Sequence, residues 1–155
     1  MKQKIYISHT TSDHADFIDL CRQLDAHLNE LAGGEKNCTE YVPHNHMNKT
    51  NPVWIAYQQG VPTGCAALKE ISSDAAEVKR VFVHPEYRGN GIAEQPMRKL
   101  EVAGKRHGYQ YFVLETGKAF TAAVSLYKKL GYSVIENYGP HVNFPASVCM
   151  KKKLR

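Results

Sequence analysis

The sequence has little of what marks several large classes of protein. Its four cysteines are scattered and form no Cys-x-x-Cys pair, which argues against a disulfide framework or a zinc site of the usual spacing. No apolar run approaches the roughly 18 residues that a membrane-spanning helix needs. The first residues also lack the apolar stretch of a signal peptide. We therefore expect a cytoplasmic protein with reduced thiols and no membrane partner.

Charge of one sign is only mildly in excess. The net charge is +5, from 20 Lys and Arg against 15 Asp and Glu. These basic residues are spread along the chain, and no basic face interleaved with aromatic residues is evident, so no nucleic-acid partner is expected. The small excess is compatible with simple solubility and would also attract an anionic ligand. At 155 residues and 43% hydrophobic content, residues 1–155 are predicted to form a single domain.

The spacing of apolar residues predicts a mixed α/β fold. Phe17, Leu20, Leu24 and Leu28 recur at helical intervals, and Thr11, Ser12 or Asp13 could cap that helix. The predicted strands span residues 4–8, 53–57, 63–71, 76–83, 109–115, 132–135 and 147–152. The predicted helices span residues 13–31, 91–107 and 120–130, and residues 35–52 are expected to be mostly loop. An antiparallel meander followed by strand–helix–strand–helix predicts a twisted, mostly antiparallel sheet with helices on both faces.

The strongest functional signal runs from Arg88 to Ala93. It follows the apolar segment 78–83 and opens a predicted helix, an order that places backbone N–H groups and the positive end of a helix dipole at one point. Gly89 and Gly91 let a ligand approach the backbone, and the Arg88 guanidinium suits phosphate. The spacing fits neither Gly-x-x-x-x-Gly-Lys-Ser/Thr nor Gly-x-Gly-x-x-Gly. A ligand that carries a pyrophosphate is therefore predicted to bind here.

This segment resembles the Arg/Gln-x-x-Gly-x-Gly/Ala motif of the GNAT family of N-acetyltransferases. Arg88, Gly91 and Ala93 stand at its defined positions. The preceding residues 81–87 resemble the family's strand and x-Pro-x-Tyr entry to the loop, and residues 123–132 resemble its A-x-x-L-Y-x-x-x-G-F/Y helix and turn. The resemblance covers roughly residues 50–153 and implies a GNAT fold with a sheet of about seven strands.

The resemblance implies acetyl-CoA as co-substrate and direct transfer of its acetyl group to a primary amine. Because no segment of the sequence resembles a peptide-docking element, a small molecule is expected as the acceptor. No metal is implied, and homodimer formation, which is frequent in the family, is left open. The family binds the extended pantetheine arm along the strand before the loop and the pyrophosphate on the loop backbone. The corresponding residues here are Val81, Phe82, Val83, Arg88, Gly89, Asn90, Gly91, Ile92 and Ala93.

Two catalytic roles are also implied by the resemblance. Tyr127 stands where a family tyrosine points at the cofactor sulfur and can protonate the departing thiolate, a transfer for which a phenol is chemically suited. The amine must lose a proton before it attacks, and the family often uses a glutamate on the strand before the loop. Glu77 is the candidate for this role, and Glu115 is the second choice.

Three residues depart from the family pattern. Pro96 lies inside the predicted helix 91–107, where it predicts either a kink or a first turn opened around the phosphates. Glu94 places a negative charge near the phosphate site, and Phe120 stands where the family often has asparagine. These departures keep a second hypothesis open, a coenzyme A-binding sensor without transferase activity. A protein N-acetyltransferase is a further alternative.

The histidines are the remaining candidates for chemistry. His44 and His46 form a His-x-His pair, but no third metal ligand at suitable spacing is evident. Together with His141 they are interpreted as solvated loop residues. Residues 44–48 are a weak candidate for acceptor binding, and the turn around His141 could border the same cleft.

Overall fold

The computed structural model describes residues 4–31, 51–89 and 91–154. The chain divides into two compact units. The first unit comprises Met1–Lys69 and Lys79–Leu100, and the second comprises Glu70–Val78 and Glu101–Arg155. Nearly all of the predicted loop 35–52, with His44 and His46, lies outside the described residues. That residues 1–155 make up a single N-acetyltransferase domain stays a prediction.

Seven strands form a mixed sheet, in the order β1-β2-β3-β4-β5-β7-β6. Their bounds are β1 Ile5–Thr11, β2 Pro52–Gln58, β3 Val61–Glu70, β4 Ala75–Val83, β5 Tyr111–Gly117, β6 Ser133–Ile135 and β7 Ser147–Lys153. The pairs β1–β2, β2–β3, β5–β7 and β6–β7 are antiparallel, whereas β4 and β5 run parallel. The predicted fold class, a mostly antiparallel sheet of about seven strands, is confirmed.

Three α-helices accompany the strands among the described residues: α1 Ala15–Leu31, α2 Glu94–His107 and α3 Thr121–Lys129. The predicted cap of α1 is wrong by one residue. His14 immediately precedes the helix, and its Nδ1 accepts a hydrogen bond of 3.0 Å from the Asp16 N–H. The predicted start of the second helix at residue 91 is also wrong, because α2 begins at Glu94.

The later start of α2 removes the conflict predicted at Pro96. Proline is now the third residue of the helix, where a backbone N–H has no partner within the helix in any case. No intrahelical hydrogen bond is lost, so no kink is required. The loop before α2 is thus set apart from the helix, as the opened-turn alternative expected.

The core of the first unit lies between α1 and the strands beneath it. The side chains of α1 that recur at helical spacing are buried against alternate residues of β2, β3 and β4. The cluster comprises Phe17, Leu20, Leu24, Val53, Ile55, Cys65, Ala67 and Phe82. A second cluster joins Ala56, Val83 and Ile92, so the loop before α2 is anchored in this unit.

The register of the second unit brings two carboxylates to one face. Glu77 on β4 is opposite Val113 on β5, and Glu115, two residues further along β5, is opposite Cys149 on β7. Strand partners and residues two apart share a face, so both glutamates lie on the same side. Phe112 lies on the other side and packs tightly against Gly104 of α2. In the described parts of the chain, no helix is long and apolar enough to cross a membrane.

Candidate active site

The loop before α2 offers open backbone. Gly89 and Gly91 have φ of +87° and +72°, a region that residues with a side chain rarely adopt. A Cβ built on either glycine would meet no other described residue within 4 Å, so these residues leave the space above the glycines open. Asn90, which lies between them, is outside the described residues. The geometry suits a ligand that must lie directly on the main chain.

Ile92 fixes this loop from below. Its side chain is 1% exposed and packs with Ala56 and Val83. Gly64 of β3 faces it closely, because a Cβ there would lie 3.0 Å from Ile92 Cγ2 and 2.9 Å from the carbonyl oxygen of Phe82. Ile92 therefore contributes an anchor through its side chain, and any contact that it makes with a ligand must come from its backbone.

Arg88 ties the loop to the end of β4. Its Nε donates to the carbonyl oxygen of Val83 at 3.0 Å, and its Nη2 lies 3.2 Å from His27 Nε2. Burial, followed by the nearby Arg88 charge, lowers the pKa of His27, which favours the neutral ring that can accept this hydrogen bond. Part of the guanidinium is thus engaged within the protein, and direct contact of Arg88 with a phosphate stays a prediction.

Strand β4 carries a strained residue just before the predicted pantetheine segment 81–83. Arg80 has φ of +57°, which is unfavourable for a residue with a side chain. Its buried guanidinium pairs with Asp25 at 2.9 Å and donates to the carbonyl oxygen of Cys21 at 3.2 Å. The thiol of Cys65 donates to the carbonyl oxygen of Arg80. These contacts from α1 and β3 hold a conformation that the strand would not adopt alone.

A buried cluster of ionisable side chains lies in the second unit. His141 Nδ1 is 3.4 Å from Glu115 Oε2, and His141 Nε2 is 3.9 Å from Glu77 Oε2. The side chains of His141, Glu77 and Glu115 are only 6%, 10% and 13% exposed. The Tyr138 hydroxyl donates to Glu77 at 2.5 Å and the Ser147 hydroxyl donates to Glu115 at 2.9 Å. One imidazole is thus bracketed by two carboxylates that are each oriented by a hydroxyl.

The segment between β6 and β7 is shaped to deliver these groups. Asn137 Nδ2 lies 3.2 Å from each of three backbone carbonyl oxygens, those of His141, Phe144 and Ser147. A short 3₁₀ turn, Gly139–His141, follows Tyr138, whose ring meets the imidazole edge to face at 5.5 Å. The loop is therefore held by one amide side chain while its aromatic and imidazole groups turn inward.

The interpretation of His141 as a solvated loop residue is wrong. The residue is 5% exposed because the turn folds it onto the face of the sheet that carries both glutamates. Pro140 was the one local hint, since it favours a fixed turn at this point. Nothing in the local spacing indicated the two carboxylates, which come from strands far away in the sequence.

Tyr127 is buried on α3 of the same unit. Its ring meets that of Tyr132 edge to face, with centroids 5.9 Å apart. Burial first, and then the charge of Glu115, raise the pKa of the Tyr127 hydroxyl well above its usual value. The phenol therefore keeps its proton at neutral pH, as a proton donor must. Whether Tyr127 and Glu77 act in catalysis stays a prediction.

Residues 20–132 match the profile of the acetyltransferase (GNAT) family, which is well over half of the chain. The chain belongs to the acetyltransferase (GNAT) family. Membership makes it an acyltransferase, and the resemblance inferred from the loop motif is confirmed. An IAA acetyltransferase of Azospirillum brasilense is 29% identical over 139 residues, which cover 88% of this chain and 90% of that protein.

Solved structures agree with this assignment. One of an acyl-CoA N-acyltransferase from Klebsiella pneumoniae superposes with a TM-score of 0.81 at 27% identity, covering 97% of this chain and 98% of that one. The PaiA N-acetyltransferase of Thermoplasma acidophilum, solved in complex with coenzyme A, gives a TM-score of 0.75 at 19% identity, with 97% and 99% covered. The predicted co-substrate, acetyl-CoA or coenzyme A, is confirmed for the family, and no group of three metal-ligating side chains occurs among the described residues.

Two of the departures from the GNAT pattern have local compensation. Glu94 lies 3.7 Å from Arg98 one helical turn later, so its charge is partly offset near the loop. Phe120 precedes α3, and its ring covers Gly117, where an added Cβ would come within 3.1 Å of the ring carbons. Phe120 therefore serves packing at the end of β5 in place of a polar contact.

Proposed function

We propose that this GNAT acetyltransferase moves the acetyl group of acetyl-CoA to the primary amine of a small molecule by direct attack of the amine. The observation that carries the proposal is the open backbone at Gly89 and Gly91 in the loop that bears the family motif. A side chain at either position would occupy the space through which a pyrophosphate reaches the main chain. The residues present thus fit the co-substrate.

In this proposal coenzyme A binds to the loop before α2 and to the end of β4. The pyrophosphate would lie on the backbone of the loop from Arg88 to Ala93, with the Arg88 charge nearby. The pantetheine arm would hydrogen-bond to the backbone of Val81, Phe82 and Val83. The side chains of Phe82 and Ile92 are buried in the core of the first unit, which leaves their main-chain atoms for the ligand.

Two side chains are proposed to move protons. Glu77 is proposed to take the proton of the amine, directly or through a water, and Tyr127 to protonate the departing thiolate. General acid–base help of this kind is typically worth ~10²–10⁴-fold in rate. Because the Glu77 carboxylate is nearly buried, a slender amine suits it, which supports a small acceptor over a folded protein surface.

Calorimetric titration with acetyl-CoA tests the binding half of the proposal. Gly91→Asp places a side chain and a negative charge where φ is +72°, and binding should weaken at least 100-fold. Gly60→Asp is the matched control, because Gly60 has φ of +77° and equally open space in the β2–β3 turn. Wild-type affinity in Gly91→Asp, or equal loss in both variants, would remove the loop assignment.

Tyr127→Phe tests the proton donor. Turnover should fall at least tenfold while the affinity for acetyl-CoA stays unchanged, since only a hydroxyl is lost. Tyr132→Phe, which alters the neighbouring ring in the same way, should keep wild-type turnover. Equal turnover in both variants would exclude Tyr127 as the acid.

We favour a transferase over the sensor hypothesis. It rested on Pro96, Glu94 and Phe120, and each has a local explanation in the structure. An amine panel in which wild-type protein forms no acetylated product while still binding acetyl-CoA would restore it. A protein acceptor is distinguished in the same assay by adding a lysine-containing peptide.

A further inference from the structure

His141 occupies a position that the proposed acid and base do not explain. It lies between the two carboxylates that are candidates for the base, with one ring nitrogen toward each. It is also the group that the hydrogen-bonded loop between β6 and β7 carries inward. A merely structural histidine would not need an ionisable partner on both sides, and burying three such groups together is unfavourable unless they act on one another.

We propose that His141 is a proton relay and positioning residue that acts through Glu77, a role that rests on the proposed transferase function. In the resting state the Nδ1–H of the imidazole points at Glu115, which leaves the Nε2 lone pair directed toward Glu77. The Ser147 and Tyr138 hydroxyls hold the two carboxylates in these orientations. The arrangement follows the general logic by which a carboxylate fixes the tautomer of a histidine.

The relay accounts for every proton in the reaction. The acceptor arrives as an ammonium, and its N–H bond breaks as Glu77 takes the proton. Because Glu77 Oε2 lies 3.9 Å from His141 Nε2, the proton passes to Nε2 through one bridging water. The amine lone pair then forms the C–N bond to the acetyl carbon, the C–S bond breaks, and its electron pair leaves on sulfur. Tyr127 protonates the thiolate, and the remaining surplus proton of the nitrogen restores the Tyr127 hydroxyl. The imidazolium, stabilised by Glu115, releases its proton to solvent after turnover.

The groups that face His141 come from three strands and its own loop. They are Glu77 on β4, Glu115 on β5, Cys149 on β7, and Tyr138, three residues before it in the chain. Burial raises the pKa of the Cys149 thiol, a backbone hydrogen bond of Tyr138 opposes this, and the charges of Glu115 and Glu77 add to the rise. Burial first, and then Glu77, also raise the pKa of Tyr138, so its hydroxyl remains a donor. The surroundings therefore hold negative charge that an imidazolium can balance.

The test uses the full-length protein with acetyl-CoA and a panel of spermidine, glucosamine and free lysine. In His141→Gln, kcat with the best amine should fall about 100-fold, the KM for acetyl-CoA should stay within twofold, and one ionisation should vanish from the pH profile of kcat/KM. The matched control is His107→Gln, which alters a surface histidine 3.5 Å from Glu70 in the same unit. It should behave as wild type.

A second measurement does not depend on turnover. In ¹⁵N spectra of the imidazoles, Glu115→Gln should change the tautomer signature of His141 and leave that of His107 unchanged. In the separate activity assay, Glu115→Gln should lower kcat about tenfold. An unchanged His141 signature, or a His141→Gln variant with wild-type kcat and pH profile, would overturn the relay alone. A wild type that binds acetyl-CoA but acetylates none of the amines would remove the proposed function, and the relay with it.

Discussion

The two units of the molecule differ in the groups that they make available. The first presents main chain, with two glycines at positive φ above a buried isoleucine. The second presents side chains, with a histidine and two glutamates almost fully withdrawn from solvent. Backbone N–H groups bind a phosphate without regard to side-chain identity, whereas proton transfer needs particular ionisable groups held in place.

This difference explains where the strain of each unit lies. In the first unit it is conformational, at Arg80, whose side chain makes a φ of +57° unfavourable. In the second it is electrostatic, because like charges are buried within reach of one imidazole. Substitutions that change one feature in each unit therefore test the contrast.

The largest effect is expected for Arg80→Ala in the first unit. The change removes a buried guanidinium from Asp25 and from the carbonyl oxygen of Cys21, and leaves that oxygen without this donor. Breaking a buried ion pair typically lowers the free energy of unfolding by about 3–5 kcal/mol. Because Asp25 is half exposed and can regain water, we expect a loss of about 3 kcal/mol. Urea unfolding measures it.

The control for Arg80→Ala is Arg98→Ala. Arg98 also pairs with a carboxylate, that of Glu94, but its side chain is 69% exposed. Exposed pairs contribute little, so the stability should change by less than about 0.5 kcal/mol. Similar losses in both variants would show that the strained strand does not depend on the buried contacts of Arg80.

The second prediction compares one close-packed glycine in each unit. An added Cβ at Gly104 of α2 would lie 2.5 Å from the Phe112 ring, and one at Gly64 of β3 would lie 2.9 Å from a carbonyl oxygen. Alanine favours a helix by about 1 kcal/mol, so Gly104→Ala should lose about 1 kcal/mol net and Gly64→Ala about 2 kcal/mol. A stabilised Gly104→Ala would mean that Phe112 can move aside.

The contrast between the units also explains which structural features could be predicted from the sequence. Alternating apolar residues and helical spacing gave the strands and helices, because those patterns reflect burial within one segment. The loop at Arg88–Ala93 was found because its function depends on glycines that are close together in the chain. The helix start was misplaced there, since positive φ at Gly91 ends any helical path and leaves no mark in hydrophobic spacing.

The cluster around His141 could not be found in the same way. Its members come from β4, β5 and the loop before β7, and they meet only through the register of three strands and the hydrogen bonds of Asn137. Glu77 and Glu115 were singled out as rivals for one role. The structure instead places both beside the same imidazole, a relation that no single stretch of sequence contains.

The third prediction concerns alkaline pH and uses one tyrosine from each unit. The Tyr57 hydroxyl donates to Asp16 at 2.6 Å, and the Tyr109 hydroxyl donates to Glu70 at 2.7 Å. Burial first, and then the partner carboxylate, raise the pKa of each to about 12. A phenol in the unfolded chain has a pKa of about 10, so the folded state binds these protons more tightly.

The sign of the effect follows from this difference. Stability from these two groups is complete below about pH 10 and is lost as the pH rises toward about 12, because the unfolded state then binds fewer protons. Urea midpoints should fall across that window, and Tyr57→Phe and Tyr109→Phe should each flatten the fall. If both variants followed the wild-type curve, other groups would control alkaline unfolding.

The smallest effect, and one of opposite sign, is expected for Tyr132→Phe. The hydroxyl of Tyr132 is buried and has no hydrogen-bond partner among the described residues, while its ring packs edge to face on Tyr127. An unsatisfied buried hydroxyl is unfavourable by about 1–3 kcal/mol, and phenylalanine keeps the ring contact. The variant should therefore gain about 1 kcal/mol, seen as a higher urea midpoint at an unchanged m value. A loss of stability would mean that the hydroxyl has a partner such as a buried water. The second unit would then bury its polar groups only in satisfied pairs, and the electrostatic strain assigned to it would be confined to Glu77, Glu115 and His141.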